Sequence, residues 1–66
     1  METIEGTVQY INRAGTGLQL IEYNGWFTRG SRYINFSHIP VGARVRLGCE
    51  PGPDGNHWVH ELTVNK

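Results

Sequence analysis

Turn signals interrupt this chain so often that a helix has nowhere to form. They stand at Ala14-Gly15-Thr16-Gly17, Asn24-Gly25, Arg29-Gly30-Ser31, Pro40-Val41-Gly42 and Pro51-Gly52-Pro53-Asp54-Gly55-Asn56. The runs between them hold only about five to ten residues and are rich in Val, Ile, Tyr, Trp and Thr, the composition of short strands. The best helical window, from Ile34 to Leu47, is broken by Pro40 and Gly42 and crowded with β-branched residues. The pattern therefore predicts five strands, over residues 4–12, 17–24, 31–37, 43–50 and 57–65.

A chain of 66 residues has room for one core and no second one. It buries roughly 60% of the surface its unfolded form exposes, so it needs tight closure, a staple or a partner. Cys49 is the single cysteine and cannot form an internal disulfide, and no paired Cys/His spacing marks a structural zinc site. Closing the sheet on itself is the remaining device, and it also hides strand edges that would otherwise invite aggregation. Nine glycines supply the corners. The expected fold is all-β, a five-stranded antiparallel Greek-key barrel occupying residues 1–66 as one domain.

No apolar run approaches the roughly 18 residues of a membrane span, and Met1-Glu2-Thr3-Ile4-Glu5 begins acidic with no apolar stretch of a secretory leader. With one cysteine, the expected setting is the reducing cytoplasm, with no membrane partner. Asn35-Phe36-Ser37 fits the glycosylation pattern, but that modification needs a secretory route for which nothing here speaks. Six Lys+Arg balance six Asp+Glu, so no global field draws the chain to a polyanion. The charges are uneven, however. Arg29, Arg32, Arg44 and Arg46 lie between Glu22 and Glu50 with no acidic residue among them. Arginine stacks on bases and forks onto phosphate, although arginines on outer strand faces also serve merely to solubilise.

Alternation sorts the faces. In the fourth run Val45 and Leu47 oppose Arg44 and Arg46, and in the fifth Leu62 and Val64 oppose Glu61 and Thr63, so Val45, Leu47, Leu62 and Val64 are expected in the core. The second run, Leu18-Gln19-Leu20-Ile21-Glu22-Tyr23, is apolar on both faces. Turning Leu18 and Leu20 inward would carry Glu22 in with them, and a buried unpaired carboxylate is costly. The expectation therefore sets both leucines outside. Strict alternation places Tyr10 inward with Val8, so an exposed Tyr10 requires a β-bulge or strong coiling in the first strand.

Three ordered segments carry a family likeness. Gly6-Thr7-Val8-Gln9-Tyr10-Ile11-Asn12 resembles the opening Gly-Thr-Val-Lys-Trp-Phe-Asn strand of cold-shock domains. Gly17-Leu18-Gln19-Leu20-Ile21 is similar to that family's first nucleic-acid motif, Gly-Phe-Gly-Phe-Ile, and Tyr33-Ile34-Asn35-Phe36-Ser37-His38-Ile39 to its second, Phe-Val-His-Phe-Ser-Ala-Ile. Val41-Gly42-Ala43-Arg44-Val45-Arg46-Leu47 and Glu61-Leu62-Thr63-Val64 resemble the closing strands, so the likeness spans residues 6–64. It implies an oligonucleotide-binding barrel that holds single-stranded RNA or DNA without catalysis.

The departures thin the stacking platform. Leu18 and Leu20 replace the Phe pair, Gln19 the inner Gly, Thr16 the preceding Lys, and Tyr10 and Ile11 the Trp and Phe. Each stacked base is worth roughly 1–3 kcal/mol, so lost rings matter. The longer connection after the second strand brings Trp26, Phe27, Arg29 and Arg32 as replacements, flat rings beside guanidinium groups. The expected binding face comprises Gln9, Tyr10, Leu18, Leu20, Trp26, Phe27, Arg29, Arg32, Tyr33, Asn35 and Phe36. Trp58 is expected to pack against its neighbouring loop.

No cofactor, metal or catalytic residue is expected. His57 and His60 stand three apart on a strand and face opposite ways, and Cys49 reads as a buried core thiol. Gly15-Thr16-Gly17 lacks the third glycine and following helix of a phosphate cradle. The competing expectation is a protein partner or a homodimer, held through an exposed apolar patch of Leu18, Leu20, Trp26 and Phe27.

Overall fold

The computed structural model describes residues 2–52 and 55–65, all of it strand, turn and loop. Five strands form: β1 (Glu2–Ile11), β2 (Gly17–Leu20), β3 (Phe27–Arg29), β4 (Arg44–Pro51) and β5 (His57–Asn65). They pair into one sheet that closes in a ring, in the order β1-β2-β3-β5-β4. The ring is uneven. β4 runs beside β5 from Arg44 to Pro51, whereas β2 and β3 share only the pairs Gly17–Thr28 and Leu18–Phe27. Among the described residues no helix is long and apolar enough to cross a membrane.

Three features differ from the expected barrel. One junction is parallel, β3 against β5 over Phe27–His57, Thr28–Trp58 and Arg29–Val59. The third strand is Phe27–Arg29, and the predicted strand over 31–37 is a loop. Local hydrogen bonds account for the loop: the Tyr33 amide donates to Ser31 Oγ at 3.2 Å and the Ser37 amide to Asn35 Oδ1 at 2.8 Å. Such bonds satisfy the backbone within a turn and outcompete a ladder, whatever the β-propensity of Tyr33, Ile34 and Phe36. The second strand stops at Leu20, where the Ile21 amide bonds the Thr7 carbonyl and the chain turns.

The core contains Ile4, Val8, Leu18, Leu20, Phe27, Phe36, Ile39, Val45, Leu47, Cys49 and Val59. Leu62 is half-buried against it, but Val64, expected inside, is exposed. Val64 faces Val45 across the ladder, yet β3 covers β5 only as far as Val59, so one flank stays open.

Two bulges decide what faces outward. On β1, Val8 pairs with Leu20 and Tyr10 with Gln19, so Gln9 is an extra residue. Alternation resets there, Val8 points in and Tyr10 points out at 51% exposure, so a bulge and not coiling alone brings Tyr10 to solvent. On β5, Gly48 pairs with Glu61 and Cys49 with Val59, leaving His60 extra. Before it Val59 is inward and Trp58 outward; after it Leu62 is inward and Glu61 outward.

Candidate nucleic-acid interface

The expected binding residues fall into two sets. Leu18, Leu20, Phe27 and Phe36 lie in the core, each at most 1% exposed, and none offers a surface to a base. For the leucines the expectation failed because Glu22 never enters the pleat: β2 ends at Leu20 and Glu22 sits in the following turn, exposed and paired. Phe27 begins β3 facing inward, and its ring stacks on His57 at 4.7 Å and 14°. Phe36 anchors the long loop, its amide donating to the Gly15 carbonyl at 2.9 Å. The apolar patch imagined for a protein partner loses the same Leu18, Leu20 and Phe27.

Gln9, Tyr10, Arg32, Tyr33 and Asn35 are exposed, and Trp26 and Arg29 are half-buried. Tyr10 and Trp26 meet edge to face, centroids 5.7 Å apart at 76°. The Trp26 ring lies over Gly17, where an added Cβ would stand 3.3 Å from Trp26 Cε3. A glycine at that position lets the indole approach β2 closely. Gln19, opposite Tyr10, and Thr28, opposite Gly17, complete the outer faces of β2 and β3.

The turn before β2 is held stiffly. Asn12 Oδ1 accepts the amides of Thr16 at 2.9 Å and Gly17 at 3.2 Å, and Asn12 Nδ2 donates to Thr16 Oγ1 at 3.0 Å. The loop bearing Tyr33 docks on this turn, because an added Cβ at Gly15, where φ is +72°, would meet Asn35 Oδ1 at 2.6 Å. Asn35 is thus partly spent on structure. Tyr33 is 84% exposed, with the Arg32 guanidinium 5.4 Å from its ring centre.

The arginines divide as well. Arg44 pairs with Glu22 at 2.8 Å and Arg46 with Glu5 at 2.7 Å, so the basic middle of the sequence is half neutralised in space. Arg29 Nη1 donates to the Ile34 carbonyl at 3.3 Å. Arg13, Arg29 and Arg32 have no acidic partner among the described residues.

Trp58 is 37% exposed and does pack, since a Cβ on Gly52 would stand 2.6 Å from its Cδ1 and Nε1. It also stands opposite Thr28 across the parallel junction, which adds a ring to the outer surface that the expected site omitted. A simple alternation from Leu62 points Trp58 inward, so only the bulge at His60 reveals its facing. Compared with protein-family models, with curated proteins and with solved structures, the chain finds no match in any of the three.

Proposed function

We propose that this chain is an oligonucleotide-binding barrel of cold-shock-like build that holds single-stranded RNA or DNA, with little sequence preference and without catalysis, in a reducing cytoplasm. The closed ring of five strands supports this reading, since five-stranded barrels of that kind bind oligonucleotides on the face of their second and third strands. The observation that carries the reading is the Tyr10–Trp26 pair, with Tyr10 turned outward by a bulge and Trp26 seated over Gly17. Rings held rigidly on an outer sheet face stack bases at low entropic cost. Trp58 extends the ring surface, Tyr33 and Arg32 offer a second stacking element, and Arg13, Arg29 and Arg32 supply cations for phosphates. The platform is smaller than the sequence promised, since four of its apolar members are core, and the affinity is correspondingly modest.

The experiment is a titration of the reduced protein with a pyrimidine-rich single strand, followed by tryptophan fluorescence at rising salt. Quenching that weakens steeply with salt supports the reading, because released counterions drive phosphate binding. Absence of quenching and of any mobility shift at low salt overturns it. A protein-docking reading keeps one observation in its favour: Ile21 and Val41 are 64% and 65% exposed. Self-association that is indifferent to salt would select that alternative.

A further inference from the structure

Side chains from three strands meet at the end of the ring where β1 starts, β4 finishes and β5 begins. Glu2 and Cys49 are cross-strand partners, and His57 opens β5 opposite Pro51, just beyond Cys49. A Glu2 carboxylate oxygen, Cys49 Sγ and a His57 ring nitrogen all lie within 4.8 Å of one another. No other group of three such side chains gathers so closely among the described residues. Of the other such residues, Glu5, Glu22, Glu50 and His60 each sit in an ion pair. No hydrogen bond or ion pair ties the side chains of Glu2, Cys49 or His57 to other described residues.

Thiolate, imidazole and carboxylate together are the donor set of a borderline-soft, tetrahedral dication. Bond lengths of about 2.0–2.3 Å around such an ion place its donor atoms roughly 3.5 Å apart. The approach needed from the present spacing is small, and Glu2, exposed at the start of β1, supplies it by side-chain rotation. His57 is already oriented by its stack on Phe27. Binding costs the site one proton: the Cys49 thiol gives it up to solvent as the sulfur–metal bond forms, and the Glu2 carboxylate and the His57 ring nitrogen complete the protein's share of the ligands.

We propose that Glu2, Cys49 and His57 form a binding site for a thiophilic divalent cation of the zinc type, with one coordination position left to water. The ion ties the first residue pair of the β1–β4 ladder to the start of β5. This site is separate from the nucleic-acid reading and stands or falls without it.

The test uses untagged, reduced, metal-free protein titrated with Co²⁺ as a spectroscopic probe and then with Zn²⁺ as competitor. One equivalent of cobalt is expected to give a thiolate-to-metal charge-transfer band that zinc abolishes, and zinc is expected to raise the unfolding temperature. Cys49→Ser removes the band. Because that variant places a hydroxyl in the core, His57→Gln provides a second arm, with cobalt affinity falling by about tenfold or more and folding checked by circular dichroism. His38→Gln, at an exposed position, leaves binding unchanged. Absence of a thiolate band at saturating cobalt overturns the proposal, as does a band unaltered by both His57→Gln and Glu2→Gln.

Discussion

Glu22 reaches across to β1 and accepts the Thr7 amide at 2.8 Å, an edge bond that no strand supplies. The same carboxylate receives Thr7 Oγ1 and the Arg44 guanidinium, so one side chain closes the gap left where β2 ends. The Thr7 amide, before all else, holds its pKa below the ordinary 4.5, helped by its own amide, the Thr7 hydroxyl and Arg44 and opposed by desolvation. A carboxylate depressed on folding contributes stability that is complete above the unfolded value and is lost as pH falls through the folded one. Thermal unfolding followed from neutral pH down past 4.5 is expected to show this loss, and Glu22→Gln to be less stable at neutral pH with a shallower acid limb. Parallel acid limbs in the two proteins would show that Glu22 is not held by Thr7.

Phe36 tests the core assignment against the platform assignment. The ring is 0% exposed and fastens the long loop between β3 and β4 beside the Gly15 turn. Truncating a buried Phe costs about 3–5 kcal/mol, a large share of the stability of so small a chain. Phe36→Ala is therefore expected to unfold or nearly unfold at room temperature in urea titration. A well-folded Phe36→Ala that had lost only oligonucleotide affinity would put the ring outside.

The legible parts of this molecule are those that local rules decide. Glycine and proline spacing announces an all-β chain, and Val45, Leu47, Arg44 and Arg46 face as alternation says because β4 is straight there. Tyr10 is legible in part: its exposure needs either a bulge or strong coiling of the first strand, and Gln9 supplies the bulge. Leu18 and Leu20 were misread because the inward-facing alternative looked costly only if Glu22 continued the strand. Where a strand ends depends on edge bonds to Thr7, which lie outside the local pattern. The meeting of Glu2, Cys49 and His57 belongs to the same class, created by ring closure between chain ends and invisible to spacing.

Tyr10→Ala is expected to lower single-strand affinity by roughly 1–3 kcal/mol while shifting the unfolding midpoint little, since the ring is half outside the fold. Tyr33→Ala should weaken binding more than Tyr23→Ala, whose ring leans on Phe27 at 6.2 Å and supports the core instead. Gly17→Ala forces Trp26 to give by a few tenths of an ångström, and its expected signature is a shifted tryptophan emission with a smaller affinity loss. Equal affinities for wild type, Tyr10→Ala and Tyr33→Ala would remove stacking from the account.

The arginines allow the charge argument to be separated from contact. Arg32→Ala and Arg46→Ala remove the same unit of charge, so any effect of the overall field is common to both. Arg46 is held by Glu5 at 2.7 Å, however, and a guanidinium already paired is a poor phosphate ligand. Arg32 has no acidic partner among the described residues and lies beside an exposed ring. A phosphate contact made to single-stranded nucleic acid contributes about 0.7 to the slope of log affinity against log salt. Arg32→Ala is expected to reduce that slope by about this amount, and Arg29→Ala to do so less, because Arg29 also braces Ile34. Arg46→Ala is expected to leave the slope where it was, with any loss of affinity the same at every salt concentration. If Arg46→Ala flattened the salt dependence and Arg32→Ala did not, the bound strand would run along the β1–β4 face, where Glu5 and Arg46 stand, and the Tyr10–Trp26 pair would not be its platform.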